Sequence, residues 1–133
     1  MFAKMIEKEE IHNFELIIGL AKDDPNFENV SHIIHLLDRF DKKRDNEDPE
    51  LKSAVFAVVK EILEQRIAKP IFGYSPTAPL PDPIPETVDE VLNYLDKYWG
   101  NPAIRHNDIG RGYLLFFEKG TKLDHNTLNT VPR

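Results

Sequence analysis

The sequence has no cysteine in its 133 residues. This absence excludes disulfide bonds, zinc sites built on thiolates and cysteine nucleophiles. It also fits a reducing compartment, as expected of an intracellular protein.

Long apolar runs are absent as well. Uncharged apolar runs such as YLLFF at 113–117 are far shorter than the about 20 residues needed to cross a membrane. Lys4, Glu7 and Lys8 interrupt the amino-terminal residues before the apolar core of a signal peptide could form. We therefore expect a cytoplasmic protein that does not enter a membrane.

The sequence lacks the common catalytic and cofactor motifs. It has no GxGxxG, no GxxxxGK[ST], no HExxH and no GxSxG. His32, His35 and Asp38 are spaced as metal ligands on one helix would be, but helical geometry turns both histidines away from the apolar face. No further strong ligand is near, so we expect a polar helix face, no metal and no cofactor.

Negative charge is concentrated in the first part of the chain. Residues 1–50 carry 13 acids and 7 bases, which accounts for the net charge of −6, because the remaining residues balance. A negative surface repels phosphate backbones and disfavours nucleic-acid binding. It complements a basic protein, although excess acid can also serve only to keep a domain soluble.

Apolar residues at helical spacing predict four helices, at about 5–21, 25–41, 49–67 and 87–99. Asp24–Pro25 and Asp48–Pro49 each place a capping side chain before a first-turn proline. Thr87 and Glu90 match a capping box. The broad apolar face of the third helix predicts that it is the most buried.

A strand is predicted over about 112–118, where aromatic and branched residues lie between glycines. A single strand leaves its backbone groups unpaired and therefore needs a partner. The segment IFGY at 71–74 is the favoured partner, and the residues after Gly120 are the second choice.

The proline-rich segment 70–86 allows three interpretations. In the first, PTAP at 76–79 resembles the late-domain motif with which viral proteins recruit budding machinery, and the match covers these four residues. A flexible linker is the second interpretation. We favour the third, an ordered strut, because ten residues of polyproline II span roughly 30 Å and Leu80 and Ile84 offer apolar anchors.

These elements predict a mainly α fold with minor β structure. We expect one domain over residues 1–133, formed by a helical bundle with an extended proline-rich crossover. A short carboxy-terminal strand pair or hairpin completes it.

The function we favour is that of an acidic inhibitory protein, such as a bacterial immunity protein or antitoxin, which neutralises a basic nuclease-type toxin. This is an analogy of type, carried by no motif. Carboxylates would occupy the toxin's substrate surface and steer association. The candidate partner-binding residues are Glu7, Glu10, Asp23, Asp24, Glu28, Asp45, Glu47 and Asp48.

The alternative is a small enzyme or ligand-binding domain that uses the polar cluster at 105–113. This segment lies between a predicted helix and strand, where functional sites are common. Its side chains could supply an acid, a base and an anion clamp. They are Arg105, His106, Asp108, Arg111 and Tyr113.

Overall fold

Four α-helices and a two-stranded sheet make up the part of the chain that the computed structural model describes, residues 6–73, 80–100 and 111–119. This confirms a mainly α fold with minor β structure. A 3₁₀ helix at Lys8–Glu10 precedes the first α-helix. In chain order the elements are α1 (Phe14–Asp23), α2 (Val30–Phe40), α3 (Pro49–Glu64), β1 (Lys69–Ile71), α4 (Val88–Tyr98) and β2 (Phe116–Glu118).

Helix α3 occupies the centre of the core. The other three helices and the 3₁₀ helix all contact it. Nine of its sixteen residues are buried, compared with four in each of the other helices. The prediction that this helix is the most buried is therefore confirmed.

The starts of α3 and α4 follow their capping side chains as predicted. Asp48 Oδ1 accepts a hydrogen bond from the Glu50 amide at 2.9 Å, and Pro49 occupies the first turn. At α4, Thr87 Oγ1 accepts from the Glu90 amide and Glu90 Oε1 accepts from the Thr87 amide, both at 3.1 Å. These local contacts need no tertiary partner, which explains why the sequence predicts both helix starts.

The predicted helix 5–21 is wrong over its first half. The 3₁₀ helix ends at Glu10, and Asn13 adopts a left-handed conformation with φ of 59° before α1 begins at Phe14. Tertiary hydrogen bonds hold this break: Asn13 Nδ2 donates to the Phe40 carbonyl at 2.7 Å. Helical spacing of apolar residues continues through the break, so the pattern alone does not reveal it.

The predicted start of the second helix at Asp24–Pro25 is also wrong. Asp24 Oδ1 accepts from the Asn26 amide at 2.8 Å, which forms a turn rather than a helix cap. Helix α2 begins at Val30, with Asn29 Oδ1 accepting from the Ser31 amide at 2.9 Å. Asn29, just before the helix, is extended because it pairs with Phe116.

Strand β2 pairs antiparallel with β1, with Ile71 opposite Phe116 and Pro70 opposite Phe117. The favoured partner, IFGY at 71–74, is confirmed at Ile71, although β1 starts two residues earlier. The strand predicted at 112–118 is shorter than expected, because Arg111 and Gly112 are helical and Tyr113 and Leu114 form a turn in which the Leu114 amide donates to the Arg111 carbonyl.

The other edge of β2 bonds to the segment before α2. The Phe117 amide donates to the Glu28 carbonyl at 2.7 Å, and the Val30 amide donates to the Leu115 carbonyl at 3.3 Å. Because the Phe117 amide points toward Glu28 and away from β1, the backbone nitrogen of the opposite residue, Pro70, points away from β2. The N–H that a proline lacks is therefore not needed for the pairing of β1 with β2.

Only part of the predicted proline strut lies within the described residues, since 74–79 fall outside them. Leu80 and Ile84 are 67% and 57% exposed, so the prediction that they anchor this segment is wrong. Pro85 is buried instead. Just before residues 74–79, the Phe72 ring packs edge-on against the Tyr94 ring, with 5.1 Å between the ring centroids.

We predict that Gly112→Ala destabilises the protein by about 1–3 kcal/mol. A Cβ at Gly112 would lie 2.7 Å from Ser31 Cβ and 2.8 Å from the Ser31 amide nitrogen, at the start of α2. Urea unfolding measures the effect. The control is Gly19→Ala in α1, where an added Cβ meets nothing within 4 Å. This substitution should stabilise the protein by about 0.5–1 kcal/mol, because alanine favours a helix over glycine. Equal effects of the two changes would contradict the close packing of Gly112.

The Tyr94 phenol should make the free energy of unfolding fall at high pH. Tyr94 is 5% exposed, and burial, with a smaller effect of Tyr98, raises its pKa from 10.0 to about 12. The folded state then holds this proton more tightly than the unfolded chain does. Its contribution is complete below about pH 10 and is lost as the pH rises toward about 12.

Tyr94→Phe removes this titration, so the wild type should lose up to about 2 kcal/mol more than the variant between pH 9 and pH 12. Urea unfolding across this range measures the difference. Tyr113→Phe, at an exposed position, is the matched control. Parallel curves for wild type and Tyr94→Phe would show that this phenol has no such role.

Candidate functional site

A buried ion pair holds the loop between α2 and α3. The Arg44 side chain is 3% exposed, and its Nη1 donates to Asp41 Oδ2 at 2.5 Å. Asp41 Oδ1 also accepts from the His12 amide at 2.9 Å. Arg44 Nε lies 3.4 Å from Glu50 Oε1 in the first turn of α3. One ion pair thus joins the entry to α1, the end of α2 and the start of α3.

Arg111 holds the same loop from the other side. Its side chain is 2% exposed and donates to the Asn46 carbonyl and, at 3.1 Å, to Glu47 Oε2. The guanidinium carbon lies 5.0 Å from the centre of the Trp99 ring. Burial lowers the pKa of Arg111, and Glu47 opposes this shift. Arg111 therefore has a structural role, as it joins the segment before β2 to the loop 41–48.

The polar cluster predicted at 105–113 falls mostly outside the described residues. Arg105, His106 and Asp108 lie there, so their positions are not described. Tyr113 is 38% exposed and its ring stacks on Phe116 at 5.6 Å between centroids. The described part of this cluster consists of one buried structural arginine and one surface tyrosine.

Five of the eight predicted partner-binding acids lie around the 3₁₀ helix and the loop 41–48. Glu10 and Asp48 line an open cleft of about 560 Å³ together with Asp41 and Glu50. Glu7 lines a second groove, of about 420 Å³, on the other side of the 3₁₀ helix. The two remaining acids of this group, Asp45 and Glu47, are exposed in the loop.

The other three, Asp23, Asp24 and Glu28, lie at the opposite end of α1. Ten residues of helix separate the two groups by about 15 Å. Lys119 covers this end: its Nζ donates to the carbonyl oxygens of Ala21 and Asp24. Burial lowers the pKa of Lys119, while Asp24 and Asp23 act in the opposite direction. The eight acids therefore form two groups, of which one is partly neutralised.

The amino-terminal group extends beyond the predicted residues. Ile6 lines both clefts, and the second cleft is lined by residues of the 3₁₀ helix and of the end of α3. With the loop 41–48, this surface carries ten acids against six bases, including Arg111, which gives −4 of the total net charge of −6. We call it the acidic band. Its acids are Glu7, Glu9, Glu10, Asp41, Asp45, Glu47, Asp48, Glu50, Glu61 and Glu64.

Sequence reasoning missed the contribution of Glu61 and Glu64. They belong to a segment, residues 51–85, that carries a net positive charge, so counting charge by segment hides them. It also missed the Asp41–Arg44 pair inside the charged run DKKRDNED. The spacing of three residues is a weak signal for such a pair, and burial is what makes it important.

Comparison with protein-family models, curated proteins and solved structures found no match to this chain. Within residues 6–73, 80–100 and 111–119, no group of three or more His, Asp and Glu side chains is arranged to hold a metal ion. His32 instead packs beside the Phe27 ring, and its Nδ1 accepts from the Glu28 amide at 3.3 Å. No helix of the described segments is long and apolar enough to cross a membrane.

We predict that breaking the Asp41–Arg44 pair is costly. Asp41→Ala or Arg44→Met should each lower the free energy of unfolding by about 3–5 kcal/mol, because each leaves a buried charge without its partner. The double variant should lose less than the sum of the two. Urea unfolding of the four proteins measures this coupling.

The pair Lys52–Asp96 provides the matched control. It joins α3 to α4, but its side chains are 35% and 56% exposed, and Lys52→Met with Asp96→Ala should show a coupling below about 1 kcal/mol. Additive losses for Asp41 and Arg44, or equal coupling in both pairs, would contradict the special role of the buried pair.

Proposed function

We propose that this protein binds a basic protein and inhibits it, with the acidic band as the docking surface. The observation that carries the proposal is the concentration of charge: the surface that runs from the loop 41–48 past the 3₁₀ helix to the end of α3 holds ten acids against six bases. A field of this sign attracts a cationic surface and speeds association with it.

The scaffold beneath the band supports this proposal. Arg44 and Arg111 fix the loop 41–48 to three helices, and Asp48 caps α3. A loop held in place loses little backbone freedom when a partner binds its carboxylates. A flexible acidic tail of the same charge would lose more.

The partner class we propose is a nuclease-type toxin, and the protein would act as its immunity protein or antitoxin. A nuclease carries a basic surface because it must bind phosphates. An acidic protein docked there would exclude the nucleic acid by occupying its site.

The experiment uses the tagged full chain as bait. At low salt, it should recover a basic protein from a lysate of the cells in which this protein is naturally encoded. The purified pair is then measured by calorimetry. We expect the dissociation constant to rise at least about tenfold between about 50 and about 300 mM salt. The partner should also cleave nucleic acid, and addition of this protein should stop the cleavage.

Charge reversal tests the docking surface. Glu9→Lys with Asp45→Lys reverses two exposed acids of the band and should weaken binding at low salt by about tenfold. The matched control, Asp23→Lys with Glu28→Lys, makes the same charge change in the second group and should alter binding less than about twofold. Binding that is insensitive to salt and to the band variant, or a partner that keeps its activity when bound, would overturn the proposal.

A further inference from the structure

The groove between the 3₁₀ helix and α3 combines an apolar floor with an acidic rim. The floor is formed by Ile6, Phe56, Ala57 and Leu92, from three different elements. Phe56 is held in place by the Trp99 ring, which it meets edge-on at 5.7 Å between centroids. The volume of about 420 Å³ falls within the range of ligand pockets.

Two polar contacts tie the amino-terminal segment to α3 beside the groove. The Ile6 amide donates to Ser53 Oγ at 2.5 Å, and Lys8 Nζ lies 3.3 Å from Glu61 Oε1. The first contact fastens the segment before the 3₁₀ helix to α3, and the second fastens the 3₁₀ helix itself. The Glu61 carboxylate raises the pKa of Lys8 by accepting its hydrogen bond.

The rim is acidic once this ion pair is set aside. Glu7, Glu9 and Glu64 are exposed around the groove, and Lys60 is the remaining base among its lining residues. Three carboxylates against one ammonium leave an excess of two negative charges beside an apolar surface. This combination suits a ligand that is both cationic and apolar.

We propose that the groove binds one amphipathic basic segment of a protein partner. An apolar side chain of the segment would cover the floor at Ala57 and Leu92, and a neighbouring lysine or arginine would face Glu7, Glu9 and Glu64. Burial of the floor supplies affinity, while the rim selects the sign of the charge. This inference rests on the proposed function. It adds an apolar contact, on the floor of the groove, that charge attraction alone would not provide.

The test uses a defined probe, a fluorescein-labelled helical peptide with leucine on one face and lysine on the other. Two control peptides replace either the lysines by glutamine or the leucines by serine. Fluorescence anisotropy with the full chain should show at least about tenfold tighter binding of the parent peptide than of either control. Amide shifts in NMR spectra should concentrate at Ala57, Glu64 and Leu92.

A variant pair locates the site. Ala57→Lys places a positive charge in the groove and should weaken peptide binding about tenfold. Asn93→Lys adds the same charge at an exposed position of α4 outside the groove lining and should change it less than about twofold. Circular dichroism verifies that both variants are folded.

Several outcomes would overturn the inference. The serine control could bind as tightly as the parent peptide, the amide shifts could lie elsewhere, or Ala57→Lys could bind normally. Dimerisation that Ala57→Lys abolishes would assign the groove to a second copy of this chain. Each of these can occur while the salt-sensitive partner is still recovered, which would leave the proposed function intact. Failure to recover a basic partner, with peptide binding unchanged, would contradict the proposed function alone.

Discussion

The buried ion pair between Arg44 and Asp41 is the interaction on which the arrangement of the first three helices depends. Asp41 accepts from Arg44 and from the His12 amide, and Arg44 also reaches Glu50 at the start of α3. Charges removed from water cost free energy unless every partner is present. The pair is therefore compatible with one placement of these helix ends, and Arg111 fixes the same loop to the segment that leads into β2.

The function we propose uses the outer side of the same structure. The arginines that hold the loop 41–48 leave its other acids directed outward, beside those of the 3₁₀ helix and the end of α3. The loop 41–48 thus contributes both a fixed backbone and exposed negative charge. In the binding mode that we propose, the apolar groove within this surface would add a contact that does not weaken with salt, because burial of apolar area is not screened.

Local signals account for the parts of the fold that were predicted correctly. The caps of α3 and α4 and the apolar face of α3 act within a few residues of one another. The failures share a different cause. Asp24–Pro25 forms a turn because residues 28–30 pair with β2, and Asn13 interrupts the first predicted helix because Phe40 and Asp41 bind the residues around it. Contacts between distant residues overrode good local patterns.

The sequence by itself determined the fold class, two helix starts and the excess of acid in the first fifty residues. Each follows from composition or short-range spacing. Only the tertiary structure decided that the eight candidate acids fall into two groups, that Glu61 and Glu64 join one of them, and that Arg111 is buried against Trp99 and Glu47. The physical reason is that charge and burial at a surface depend on which distant segments the core brings together, and spacing along the chain carries no record of that.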